Sequence, residues 1–279
     1  PFPSGDVRHI LTVDEEEAQL KALTTTHLKK FHDRFYGAQY GELAVVGDFD
    51  TEEIRALIEK LFGQWKSKAA YARVDDPYRS ITPATLRFET QDKANAVLMG
   101  RLAVPINDLD PDFAALLVAN QALGASPEAR LPNRIRTQDG LSYAVGSTLQ
   151  PASLDANSRF VFYAIFAPQN LARIQEAFRD VLTQTAQNGL TAQEVADAKQ
   201  SLLQERQIAR AQDSVQASSL VHQLYLQRTW KDSAQRDAEI AAVTPEHIAA
   251  ALKKYLVPEN VVYAVAGDFK KPATKAEQD

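Results

Sequence analysis

Residues 159–166 read RFVFYAIF, with Phe160, Phe162, Ala164 and Phe166 on one side of a strand and Val161, Tyr163 and Ile165 on the other. A strand apolar on both faces predicts burial on both, or packing against another domain. Period-two runs predict further strands at 85–90, 96–104 and 141–149. Residues 111–123 carry an apolar-rich helical pattern, with Asp110 placed to cap it. Helices follow at about 169–187, 191–209 and 213–227, the second opened by the capping box Thr191-Ala192-Gln193-Glu194. Residues 126–138 read as a polar loop with a short helix, and 232–242 as another short helical stretch. A last strand returns at 261–266. Strands first, helices second and one returning strand predict an α+β fold, with helices packed on a largely antiparallel sheet.

A comparison of the chain with itself adds domain organisation. LTTTHLKKFHDRFYGAQYGELAVVGDFD (23–50) and VTPEHIAAALKKYLVPENVVYAVAGDFK (243–270) align without a gap. Thr24 meets Thr244, His27 meets His247, and Gly47-Asp48-Phe49 meets Gly267-Asp268-Phe269. In each copy a Thr-capped helix is predicted to lead into a short buried strand and a Gly-Asp-Phe turn. The spacing suits a duplicated domain rather than a solenoid. The expected division is therefore 1–72 as the C-terminal part of a first, truncated domain, 73–84 as linker, 85–270 as a complete second domain, and 271–279 as a frayed tail. The strands absent from the first copy imply an exposed apolar edge, which favours a homodimer.

Composition narrows the chemistry. The chain has 279 residues, 45% of them hydrophobic, and a net charge of −5. No apolar run reaches the ~18 residues of a membrane-spanning helix, and an acidic balance without a basic stripe argues against nucleic acid. The absence of cysteine removes disulfides, thiolate metal sites and a Cys nucleophile. The five histidines, His9, His27, His32, His222 and His247, form neither HExxH nor HxxEH. His27 and His32 lie five apart, which turns the second off the first one's helix face. No GxSxG elbow and no phosphate-binding glycine loop occurs.

One segment stands out. Residues 131–146 read LPNRIRTQDGLSYAVG. Arg134 and Arg136 are expected on a short helix, Asp139-Gly140 makes a turn, and Leu141-Ser142-Tyr143 enters a strand. Such a helix–turn–strand can fold back and bring the Arg136 guanidinium and the Tyr143 phenol to one patch. Both can donate hydrogen bonds to a carbonyl oxygen, as a held peptide requires. The spacing alone is better matched by an ordinary surface arginine and a half-buried tyrosine.

The stretch from PFPSGDVRHI to VVGDFD, the segment RTQDGLSYAVGS, and the helix-rich close through Arg210-Ala211-Gln212-Asp213 to VAGDF together resemble the insulinase/pitrilysin family of zinc metallopeptidases. The resemblance covers nearly the whole chain and is best with the C-terminal half of long bacterial members. It implies a clamshell in which one half carries HxxEH and zinc, while the other helps to enclose a peptide or unfolded polypeptide. In that reading Arg136 and Tyr143 are the substrate-binding residues, no residue here is catalytic or metal-binding, and zinc belongs to the N-terminal half of the same polypeptide. The chain alone is then inactive, and a periplasmic address is implied. The other reading is a catalytically dead homologue that serves as a structural or peptide-binding subunit; HxxEH upstream in the parent decides between the two.

Overall fold

The computed structural model describes residues 2–270; the tail expected at 271–279 lies outside the described residues. The chain divides into two compact units, Pro1–Asp75 with Gln212–Gln227, and Asp76–Ala211 with Arg228–Asp279. No described helix is long and apolar enough to cross a membrane.

The first unit contains helices α1 (Val13–Ala22), α2 (Thr25–Phe35) and α3 (Thr51–Phe62). Each opens on a side chain that satisfies free amides of the first turn. Thr12 and Glu15 form a capping box, Thr24 accepts from the His27 N–H, and Asp50 accepts from Glu52 and Glu53. None of the three helices buries a residue completely. The sequence predicts a buried strand ahead of Gly47, but the chain forms none there, and Leu43 and Val45 stand 48% and 42% exposed. A strand exists only through hydrogen bonds to a neighbour, and among the described residues none lies beside it.

The second unit is built on strands β1 (Thr85–Glu89), β2 (Ala96–Val104), β3 (Ser142–Gln150), β4 (Ser158–Phe166) and β5 (Val262–Gly267). Their order is β1-β5-β2-β4-β3; the β1–β5 pair is parallel and the others antiparallel. One face of this mixed, mostly antiparallel sheet carries the core. Leu98, Leu102, Phe160, Phe162 and Phe166 all lie on it and are buried. The covering helices are α4 (Phe113–Asn120), α5 (Arg130–Pro132), α6 (Leu171–Asn188), α7 (Ala192–Ala209), α9 (Trp230–Ala242) and α10 (Pro245–Tyr255), while α8 (Asp213–Tyr225) belongs to the first unit. Ile174, Phe178 and Leu182 recur at helical spacing along the buried side of α6, as do Ile248, Leu252 and Tyr255 along α10.

Two details depart from the sequence-based expectation. The α4 helix starts at Phe113, and Asp112 takes the cap position without a side-chain cap bond; the Asp110 carboxylate instead accepts from the Asp112 N–H at 2.9 Å. The outer side of β4 is not buried to the same degree, since Val161 and Ile165 are half-buried and Tyr163 is exposed. Within the second unit the helices supply a layer on one face of the sheet only.

Both helical segments before β3 widen into π-helical turns, at Gln121–Ala125 and Asn133–Gln138. The first runs close against β3. A Cβ on Gly124 would sit 2.5 Å from both the amide nitrogen and the hydroxyl of Ser147, so only glycine permits the approach. The Ser147 hydroxyl donates to Asn120 Oδ1 at 2.8 Å, which satisfies both buried polar groups.

Candidate functional site

The segment from Arg130 to Tyr143 leaves the helical layer, turns, and enters the sheet. Ile135 and Leu141 are buried and anchor its two ends. Between them the Leu141 N–H donates to the Ile135 carbonyl at 2.9 Å, and the Asp139 N–H donates to the Arg134 carbonyl at 3.1 Å. Gly140 turns the chain at φ +62°, and the Arg134 guanidinium pairs with the Asp139 carboxylate across the turn. The end of the π-turn is thereby fastened to the start of β3. Arg136 and Tyr143 both emerge exposed, Tyr143 at 64%.

A bulge explains the exposure of Tyr143. Ser142 pairs with Phe166 and Ala144 with Ile165, which leaves Tyr143 as the extra residue. Two bulged residues facing one partner residue point to the same side, here the outer face with Ile165. The Ser142 hydroxyl locks the bulge: it donates to the Ile165 carbonyl at 2.7 Å and accepts from the Ala144 N–H at 3.2 Å. The guanidinium of Arg136 and the phenol of Tyr143 make no hydrogen bond to each other. Each leaves its donors directed to solvent, a condition for binding an external carbonyl.

Sequence reasoning missed the residue that holds this segment from beneath. Arg130 Nε and Nη2 donate to Glu194 Oε1 and Oε2 at 2.6 and 2.8 Å, and Nη1 donates to the buried Thr185 hydroxyl at 3.0 Å. Glu194 also accepts from the Thr191 N–H at 2.8 Å within the capping box of α7. The Arg130 guanidinium, against the opposing effect of burial and with help from Thr191, holds the Glu194 carboxyl down at about 2. The capping box was the available signal; nothing in its spacing pointed to an arginine far away in the chain.

The histidines do not converge. Among the described residues no group of three or more His, Cys, Asp or Glu side chains could hold a metal ion. His247 lies 3.1 Å from Asp112, which also meets Lys254 at 3.0 Å. His9 is held by the Phe2 carbonyl at 2.7 Å. The described residues thus do not fit a zinc site.

A family model described as the peptidase M16 inactive domain matches residues 22–202. The chain belongs to the M16 peptidases, the insulinase family. Relatives of this family include an uncharacterized zinc protease of Mycobacterium leprae, 32% identical over 66% of this chain and 41% of its own length, and one of Streptomyces coelicolor, 26% identical over 85% and 52%. The chain therefore spans about half, or less, of the relatives it matches. An M16 inactive domain from Pseudomonas fluorescens shares the fold with a TM-score of 0.74 and 23% identity, over 91% of this chain and 59% of that one. A protease from Helicobacter pylori does so at 0.70 and 16%, over 90% and 60%.

Proposed function

We propose that this M16 chain is the substrate-enclosing, non-zinc half of a zinc-dependent endopeptidase that acts on peptides or unfolded polypeptides. Arg136 and Tyr143 hold the substrate backbone, and the zinc-bearing half is the N-terminal part of the same polypeptide. The observation that carries this reading is the pinned turn: buried Ile135 and Leu141 and the Arg130–Glu194 pair hold rigid a segment whose two donor side chains are left free. Rigid support of exposed donors lowers the entropy cost of binding. The same reading takes residues 23–50 as the close of a first, duplicated domain, and includes a periplasmic address that cell fractionation tests.

The test uses the complete parent protein. Arg136→Ala and Tyr143→Phe are expected to lower kcat/KM about tenfold or more on an unstructured peptide, with zinc content unchanged. Unchanged kcat/KM in both variants sinks the assignment.

A further inference from the structure

The sheet face turned away from the second unit's own helices carries more than the Tyr143 bulge. Strand alternation brings Val97, Met99 and Arg101 of β2 to this face, beside Ile165, Tyr163 and Val161 of β4. Val97, Met99 and Tyr163 stand exposed as an apolar strip. At the end of the strip away from Tyr143 the chemistry changes. Arg101 pairs with Val161, and Arg159, two residues further along β4, pairs with Ala103 and Gln150. Two guanidinium groups thus lie diagonally across adjacent strands on one face.

Like charges on neighbouring strands oppose each other. Here neither guanidinium forms a hydrogen bond or ion pair with another described residue. Burial, and then the Arg159 charge, push the Arg101 guanidinium below its ordinary value, and the charge of Asp76 offsets this only in part. Asp76 donates its backbone N–H to the Asp155 carboxylate at 2.9 Å, and its own carboxylate acts on Arg101 only through its charge, without an ion pair. The pair is complementary to an added carboxylate, which the planar guanidinium forks bind in bidentate fashion.

We propose that Arg101 and Arg159 form a carboxylate-binding subsite on this face of the sheet, reading an acidic residue of an extended polypeptide. The proposal builds on the peptide-binding reading above and narrows the substrate class. From Ile165, opposite the bulge, to Val161 and Arg159 is four to six residues of β4, about 13–20 Å along an extended chain. The acidic residue therefore lies about four to six positions from the carbonyl held at Arg136 and Tyr143, with apolar side chains over Met99 and Tyr163 between them.

The experiment measures fluorescence anisotropy of two labelled ten-residue peptides against the 279-residue chain. They share an apolar, uncharged sequence and differ only in Glu or Gln at one position near one end. The Glu peptide is expected to bind about tenfold more tightly, a difference of about 1.4 kcal/mol. The Arg101→Gln, Arg159→Gln double variant, checked for an unchanged thermal melt, is expected to bring the ratio to one. Arg136→Ala is expected to weaken both peptides while the ratio stays. Equal affinity for the two peptides, no binding of either, or a ratio that survives the double substitution overturns the subsite. If Arg136→Ala changes neither affinity but the ratio holds, the subsite stands and the Arg136–Tyr143 assignment fails.

Discussion

Arg130 grips both carboxylate oxygens of Glu194, at 2.6 and 2.8 Å, and so ties the root of the Arg136 turn to the first turn of α7. The pair is only partly screened from water, with side-chain exposures of 25% and 32%. Its worth is therefore discounted to about 1 kcal/mol. Glu194→Gln is expected to lower stability by that amount at pH 7. The folded-state carboxyl lies at about 2, below its ordinary 4.5, so the contribution is complete above pH 4.5 and lost as pH falls toward 2. Urea titrations at pH 7, 4 and 2.5 should show the gap between wild type and variant closing across that window. A gap that is constant with pH would assign the loss to packing.

A second clasp has more at stake. Asp108 receives Arg228 at 2.7 and 2.8 Å and the Ser153 hydroxyl at 2.7 Å, with both charged side chains under a fifth exposed. Burial opposes ionisation of Asp108, but Arg228 and Ser153 outweigh it and keep the carboxyl below its ordinary range. Removing one partner strands the other charge. Asp108→Ala is expected to cost about 3 kcal/mol in chemical denaturation, and a loss below about 1 kcal/mol would mean that water replaces the carboxylate.

Gly124→Ala is expected to destabilise by about 1–3 kcal/mol, because its Cβ would meet the Ser147 backbone rather than a side chain that can swing aside. The change should also disturb β3. Amide exchange at Val145–Thr148 provides the measurement, and unchanged protection there refutes the tight contact.

Elemental mass spectrometry of the dialysed chain is expected to find zinc near zero, given that the described acidic and histidine side chains do not gather. A value near one zinc per chain would require a site built from histidines that the fold keeps apart.

Much of the second unit was legible because its side chains carry period. The Phe160–Phe166 alternation located β4 and its buried face within a residue of its observed bounds, and Thr191 with Glu194 located the start of α7. Pairing was not legible: nothing in Val262–Gly267 says that it lies between β1 and β2. The π-turns were missed because their wider bonding leaves no apolar rhythm in five or six residues. Leu43–Gly47 carries a strand-like composition but forms none, since a strand is a property of two segments and composition describes only one. At the candidate site, sequence named Arg136 and Tyr143, while the bulge that sends Tyr143 outward depends on Ser142 reaching a carbonyl across the sheet.

The position of β5 also governs how the second unit can be made on a ribosome. Among the described residues β1 pairs with β5 alone, in parallel, so Thr85–Glu89 emerges long before the strand that holds it. At synthesis rates of about 5–20 residues per second, the wait is on the order of ten seconds or more. For that interval β2 presents an open edge to every other nascent chain nearby, and a ribosome stalled before Val262 releases a sheet split between its first strand and the rest.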